Sequence, residues 1–157
     1  MPSFDFVSTT DKPALLAFST PEWLESARTA LSELGYKVHT AATHGDFLIR
    51  FSQIRYQVVM IEERFAANDI TENLTLKAMQ NMPTSLRRHA TVILVGDSFQ
   101  TFTPMQAFQQ SVQSVISSSE LFLLKQLIEK TIADNEVFLH SFSEAQSTVY
   151  AKGREEE

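Results

Sequence analysis

The sequence predicts an α/β fold in which helices cover both faces of a parallel five-stranded sheet of strand order 2-1-3-4-5. Short apolar runs alternate with segments whose apolar residues have helical spacing, and this alternation occurs five times. The runs lack polar alternation, as in YQVVMIEE at 56–63, which is typical of strands buried on both faces. Right-handed crossovers leave few strand orders. The expected architecture is a three-layer (βα)5 sandwich.

Composition excludes several classes of function. The 157 residues include no cysteine, which excludes disulfides, thiolate metal sites and cysteine nucleophiles. The net charge is −6 and the only compact basic cluster is 87–89, so we expect no nucleic-acid partner. No apolar run reaches the length of about 18 residues that a membrane span needs, and the start of the chain lacks the features of a secretory signal. We expect no membrane association and a cytoplasmic location.

The first two βα units are the clearest part of the pattern. Strand one is the apolar run 14–19, and the next residues, Thr20-Pro21-Glu22, are typical of a helix start, with Thr20 as N-cap and Pro21 in the first turn. Gly35 is a plausible helix stop. Strand two is predicted at 36–41, and a second helix starts at 44–46.

The remaining elements follow in the same order. Strand three is predicted at 57–62, a third helix carries the apolar residues of 74–82, and strand four is 90–95. A fourth helix starts at Thr103-Pro104, and strand five is the short segment 114–116. Three serines at 117–119, followed by an acidic residue, are then expected to cap a long final helix.

This order of elements resembles the receiver domains of two-component response regulators, which have a flavodoxin-like, CheY-like fold. The likeness is closest over ALLAFSTPEWLESARTALSELGYKVHTAATHGDFLIRF, residues 14–51, and covers roughly 13–133. It implies a flexible lead-in at 1–12, a receiver-like domain at 13–133, and a C-terminal helical extension and tail at 134–157.

The resemblance also implies a phosphorylation site, but this chain departs from the family at its metal-binding and acceptor positions. The acidic pair that binds magnesium in receivers falls on Phe18 and Ser19. Magnesium needs hard oxygen ligands, usually carboxylates, so Phe18 removes a ligand. The phosphoacceptor aspartate falls on Glu62, whose extra methylene moves the carboxylate by about 1.5 Å, beyond the roughly 0.5 Å precision that productive geometry needs.

The remaining family positions also differ. The hydroxyl residue that senses the phosphoryl group in receivers falls on Gly96, and the lysine and cis-proline fall on Ser117 and Ser118. The aromatic switch position of receivers falls on Ser114. We therefore expect a degenerate pocket that cannot carry out aspartate phosphorylation, formed by Phe18, Ser19, Glu62, Gly96 and Ser117. No catalytic residue, metal or cofactor is expected there.

Glu62 itself has two readings. It can act as a fixed negative charge that mimics phosphorylation, or it can be a solvated carboxylate at the mouth of the sheet. The second reading is favoured, because isolated carboxylates are rarely buried unless they are paired. Glu63 is expected to be surface. Two other functions stay open: a small flavodoxin-like enzyme or nucleotide- or flavin-binding protein with an open pocket near Ser19, Glu62 and Asp97, and phosphotransfer to Glu62 or Asp97.

The sequence of the final helix predicts a protein interaction surface and no catalytic or ligand-binding site. It contains no Gly or Pro before Gly153, and its apolar residues follow heptad-like spacing. Beyond Ile132 the apolar residues Phe138, Phe142 and Val149 have no evident partner within the domain, which favours a helix that binds a second copy or another protein. Asn135 is a possible register-setting position.

A second apolar group follows strand four, at Phe99, Phe102, Met105 and Phe108. Two or three of these side chains are expected in the core, and an exposed one would mark an interaction surface. The sequence therefore predicts a phosphorylation-independent, response-regulator-like signalling or scaffold module that is not an enzyme. It would act through protein–protein contacts with a partner or with itself, as a homodimer.

Overall fold

A computed structural model describes residues 7, 8 and 10–138 of the chain. It contains one parallel sheet of five strands in the order 2-1-3-4-5, as predicted. The strands are β1 Pro13–Ala17, β2 Lys37–Ala41, β3 Val58–Glu62, β4 Thr91–Gly96 and β5 Ser114–Ser117. β1 ends two residues earlier than the predicted run, so Phe18 and Ser19 belong to the turn that follows it.

Helices cover both faces of the sheet. Their bounds are α1 Pro21–Glu33, α2 His44–Gln53, α3 Leu74–Asn81, α4 Thr84–Arg87, α5 Pro104–Gln110 and α6 124–138. Two 3-10 turns, Ile70–Glu72 and Ser118–Leu123, complete the set. The short α4 and both 3-10 turns are not expected from apolar spacing, because elements of three to six residues carry too few apolar positions to establish a period.

The alternation of side chains along each strand divides the core in two. One layer contains Leu15, Val59 and Leu94, with Phe47 of α2 and Leu76 of α3. The other layer contains the intervening strand residues and packs against α1 and α6. Because successive strand residues point to opposite faces, each strand must be apolar throughout to serve both layers. This explains the unbroken apolar runs of the sequence.

The final helix is attached to the sheet by polar contacts as well as by apolar packing. The buried Ser114 hydroxyl lies 2.9 Å from the Thr131 hydroxyl, and Asn135 Nδ2 donates to Thr91 Oγ1 at 2.8 Å. Asn135 therefore uses its amide inside the domain, and the expectation that it sets a coiled-coil register is wrong. α6 also continues through the domain boundary placed at 133. The predicted contacts of Phe142 and Val149 lie outside the described residues.

The start of the final helical segment differs from the prediction. Ser117 is the N-cap of the 3-10 turn, where its hydroxyl accepts from the Ser119 N–H, and α6 begins only at 124. The chain thus makes a turn before α6, which lets the helix return across the sheet face. No helix in the described part of the chain combines the length and the apolar character that crossing a bilayer requires.

A buried asparagine fixes the connection that leaves β3. Asn73 Nδ2 donates to the carbonyls of Glu62 and Glu63 at 3.0 and 3.1 Å, and its Oδ1 accepts from Leu76 N at 3.0 Å. The last contact is an N-cap of α3. One side chain therefore joins the end of β3 to the start of α3, and it is completely buried.

We expect Asn73→Ala to destabilise the fold by about 2–4 kcal/mol, because it removes a helix cap and leaves two buried carbonyls without a donor. Asn81→Ala is the matched control, since Asn81 is exposed at the end of α3 and should change stability by less than about 0.5 kcal/mol. Urea unfolding measures both. Similar midpoints for the two variants would contradict the role of Asn73.

Candidate functional site

The carboxyl ends of β1, β3 and β4 meet at one edge of the sheet and enclose a small cavity. Its volume is about 150 Å³, and its lining combines charged, polar and apolar side chains: Thr20, Trp23, Glu62, Glu63, Arg64, Gly96 and Asp97. This is the edge at which open α/β sheets place ligands. The sequence analysis named Glu62, Gly96 and Asp97 as candidate site residues, and the fold brings these three together.

The Glu62 carboxylate is bonded to the turn after β1. Its Oε1 accepts from the N–H groups of Ser19 and Thr20 at 3.2 and 2.9 Å, and its Oε2 accepts from the Thr20 hydroxyl at 3.2 Å. Thr20 is the N-cap residue of α1. A carboxylate beside a helix start is also favoured by the dipole of the helix. Glu62 thus binds the turn that leads into α1.

The expectation of a solvated Glu62 is wrong, because only 5% of the residue is exposed. A buried carboxylate is tolerated when hydrogen-bond donors replace its water, and here three donors converge on it. Thr20 stands at the predicted N-cap position, but its hydroxyl makes no cap bond to the helix and donates to Glu62 instead. From the sequence, the Thr20 hydroxyl was expected to cap its own helix. In the fold it bonds to Glu62, which is distant in the sequence.

Glu63 is also buried, which contradicts its assignment to the surface. It is 6% exposed, its Oε1 accepts from Ser98 N at 3.2 Å, and its backbone N–H donates to Val95 O at 2.7 Å. The side chain lies across Gly96: a Cβ added to Gly96 would be 2.2 Å from Glu63 Oε1 and 2.5 Å from Glu63 Cβ. Glu63 therefore fills the space in which a hydroxyl side chain at position 96 would stand.

Phe18 lies in the core. It is 6% exposed and belongs to the layer that packs against α1 and α6. The turn that carries it is held by the neighbouring residue, since Ser19 Oγ accepts from Ala66 N at 2.8 Å. Phe18 thus contributes an apolar ring to the core, and Ser19 is used for a bond between two loops.

The serines at and after the end of β5 make contacts with neighbouring loops. Ser117 N donates to Thr101 Oγ1 at 2.9 Å, the Ser117 hydroxyl lies 2.8 Å from that of Ser119, and the Ser118 hydroxyl donates to Asp97. Asp97 also lies 3.7 Å from Arg64 in an exposed ion pair, of a kind that adds little stability. These contacts join the loops after β3, β4 and β5 around the cavity.

Sequence reasoning missed several residues that build this edge. Asn73 precedes the apolar residues of α3 and could have been recognised as an N-cap, but its bonds to the end of β3 depend on the fold. The contact of Glu63 with Gly96 has no local signal, because it depends on the pairing of β3 with β4. In the part of the chain that the structure covers, no group of three His, Cys, Asp or Glu side chains is arranged to hold a metal ion.

The predicted interaction residues after β4 fall into different environments. Phe99 is 7% exposed and packs in the core, so it does not belong to an interaction surface. Phe102 is half-buried with a φ of 61°, which is rare for a bulky residue. Met105 and Phe108 are exposed, Phe108 by 81%. One of the four, not two or three, is therefore a core residue.

Solved structures with a similar fold are known, but neither a family model nor a curated protein matches the sequence. A CheY-like response regulator receiver domain protein from Methanospirillum hungatei JF-1 has a similar structure, with a TM-score of 0.61 and 20% identity, and the match covers 81% of this chain and 98% of that one.

Two further solved structures agree. The chemotaxis response regulator CheY4 of Vibrio cholerae is 14% identical, with a TM-score of 0.60 over 78% of this chain and 99% of that one. An orphan response regulator of H. pylori is 16% identical, with a TM-score of 0.58 over 76% and 95%. At these identities the likeness concerns the backbone fold. The chain has the fold of CheY-like receiver domains, which confirms the architecture predicted from the order of its elements.

We expect Gly96→Ala to destabilise the protein by about 2 kcal/mol or more, because the new methyl group would collide with Glu63. Gly45→Ala is the control: its Cβ would be 4.0 Å from Thr43 Oγ1, an ordinary contact, and Ala in α2 should be neutral or stabilising by up to about 1 kcal/mol. Thermal unfolding measures both variants.

Adding Glu63→Gly to Gly96→Ala should recover part of the loss, since it removes the atoms in collision. The double-mutant cycle should therefore give a coupling of about 1 kcal/mol or more. Strictly additive effects, or equal effects of the two alanine variants, would show that Glu63 does not occupy the space above Gly96.

Proposed function

We propose that this chain is a receiver-fold signalling or scaffold module that acts by protein–protein contact, without phosphorylation and without catalysis, as a homodimer. The observation that carries the proposal is that Ser19 and Thr20 donate three hydrogen bonds to the Glu62 carboxylate. A phosphoacceptor must present a free oxygen to the donor, whereas both oxygens of Glu62 already accept hydrogen bonds from the β1–α1 turn.

The surroundings of Glu62 support the same proposal. Phe18 is part of the core at the position where a receiver would offer a metal ligand, and Glu63 fills the space for a hydroxyl at Gly96. Accepting a phosphoryl group would require the β1–α1 turn to give up three hydrogen bonds and the side chain of Glu63 to move. These two changes would also disturb neighbouring contacts, because Asn73 and Ser19 join the same loops to each other.

The size of the cavity weighs against the alternative of a nucleotide- or flavin-binding protein. The cavity at the strand ends measures about 150 Å³, whereas pockets for such ligands usually measure about 300–1,000 Å³. A nucleotide phosphate would also compete for the start of α1 with the carboxylate of Glu62. We therefore propose that this edge of the sheet has a structural role.

The contact surface of the proposed dimer is the face made by α5, β5 and α6, called here the α5–α6 face. It carries two adjoining cavities of about 570 and 540 Å³, which share the lining residues Val112, Gln113, Asn135 and Phe138. The exposed rings of Phe108 and Phe138 stand at this face. An exposed apolar surface with polar residues around it is typical of protein contact sites.

Beryllofluoride with magnesium, a mimic of an acyl phosphate, tests the lack of phosphorylation. We expect the ¹⁵N NMR spectrum of the full chain to stay unchanged on its addition, and mass spectrometry to detect no phosphoryl group after incubation with acetyl phosphate. Shifts centred on Glu62, or a phosphorylated Glu62 or Asp97, would contradict the proposal.

Glu62→Asp is the stringent companion variant, since it restores the acceptor type of receivers. It should also fail to respond, because Phe18 and Glu63 remain in place. It should lose about 1–3 kcal/mol of stability, because the shorter side chain leaves donors of the β1–α1 turn unpaired. A response of this variant alone would mean that the acceptor side chain is the single barrier to phosphorylation.

The homodimer is tested with two phenylalanines of equal exposure on different faces. Phe108 on α5 is 81% exposed, and Phe122, in the 3-10 turn beside α1, is 79% exposed. Phe108→Glu should raise the dimer dissociation constant about tenfold or more, because it places a charge in an apolar contact, and Phe122→Glu should leave it unchanged. Light scattering over a concentration series measures the mass. A monomer at every concentration would overturn the homodimer.

A further inference from the structure

A separate groove lies at the opposite end of the sheet from the Glu62 cavity. It runs between the carboxyl-terminal half of α2 and the segment 82–89, which includes α4, and it is called here the α2–α4 groove. Its volume is about 390 Å³. Because α2 leads into β3 and the segment 82–89 leads into β4, the groove lies at the amino ends of the strands. It shares no lining residue with the α5–α6 face.

The groove has an apolar floor and an apolar rim. Phe51 is buried in the core, and Ile54 and Met82 pack partly against it. Leu48 and Leu86 line the groove from opposite sides and are 38% and 59% exposed. Two exposed leucines beside an apolar floor form a site that apolar side chains of a partner can fill.

The positive charge at the groove comes from Arg55, which lines it together with the imidazole of His89. Arg88 precedes His89 in the chain but lines a cavity of the α5–α6 face instead. Arg55 is exposed and forms no ion pair with a described residue. The acidic side chain on α2, Asp46, is paired with Arg50 in the first turns of that helix. The net charge of the chain is −6, so the local charge at the groove is opposite in sign to that of the protein.

His89 stands out at the groove. Its ring stacks on Phe51, with centroids 5.5 Å apart and planes at 22°. Both ring nitrogens are shielded from solvent and lack a hydrogen-bond partner among the described residues. Burial lowers the pKa of His89, and the charge of Arg55 lowers it further. A buried polar atom without a partner costs about 1–3 kcal/mol, so an incoming acceptor would relieve this cost once the ring turns outward.

We propose that the α2–α4 groove binds a segment of another protein in which apolar side chains are followed by carboxylates. The apolar side chains would fill the floor between Leu48 and Leu86, and the carboxylate would pair with Arg55 and accept a hydrogen bond from His89. Charge complementarity selects an acidic segment over a neutral or basic one. The proposal is independent of the role of Glu62 and of the homodimer.

The test uses the ¹⁵N-labelled full chain and two designed amphipathic peptides of about 15 residues. One peptide carries leucines on one helical face and glutamates beside them, and the other has glutamine in place of every glutamate. The acidic peptide should shift the amide signals of Leu48, Leu86 and His89 to saturation, with an affinity about tenfold or more above that of its glutamine version. Absent shifts, shifts at another surface, or equal affinities would overturn the proposal.

Variants of exposed residues give the controls. Arg55→Glu and Leu86→Ala should each weaken binding of the acidic peptide about tenfold, because they remove the charge partner and one apolar wall. Arg28→Glu is the matched control, since Arg28 is an exposed arginine on α1 and should have no effect. Equal weakening by Arg28→Glu would reduce the interaction to nonspecific charge and overturn the proposal.

The role of His89 has its own readout. A bound carboxylate stabilises the imidazolium, so binding should tighten as the pH falls from about 7.5 to about 6. In His89→Gln this pH dependence should disappear. If the affinity of His89→Gln still depends on pH in the same way, His89 does not contact the bound carboxylate and this part of the proposal is wrong. If the groove signals change with protein concentration in the absence of peptide, a second copy of this chain fills the groove and the proposal fails.

Discussion

The buried carboxylate of Glu62 is bonded to the turn between β1 and α1, and the geometry of the strand-end edge depends on this contact. A charge with so little exposure to solvent is stable in a fold only when donors surround it. Two backbone N–H groups and a hydroxyl of the β1–α1 turn meet that requirement, and this in turn fixes how α1 leaves β1. The helix start and the strand end are therefore one structural unit.

The neighbouring contacts extend this unit to the other loops. Asn73 binds the carbonyls of both glutamates and caps α3, while Glu63 lies on Gly96 and accepts from Ser98. The loops after β1 and β4 and the start of α3 are thus attached to the end of β3. An opening of the cavity would break several of these contacts together, which is why we regard this edge as a support for the fold.

The surfaces away from this edge have the opposite character. Exposed aromatic rings lie on the α5–α6 face, and exposed leucines border the α2–α4 groove beside Arg55. These features add little to the stability of a monomer, since the side chains are not buried in it. The hydrogen-bonded strand-end edge and these two open apolar surfaces are the features on which the proposed function rests.

The sequence by itself determined the order of the elements, the parallel sheet and the strand order, because apolar runs and helical spacing are local patterns that burial imposes directly. It also identified Glu62 and Gly96 as the residues at the ends of β3 and β4, since these follow from where each run stops. Short elements such as α4 escaped it, because four residues carry too little periodicity.

The tertiary structure alone decided the environments of those side chains. Glu62 and Glu63 are adjacent carboxylates with no local sign of burial, yet one finds its donors at Ser19 and Thr20 and the other packs on Gly96. The expected interaction residue Phe99 became part of the core, and Phe108 did not. The reason is that hydrogen bonds and packing between residues tens of positions apart depend on how the strands pair. Local sequence patterns predict that strands form, but they do not fix which side chains then come into contact.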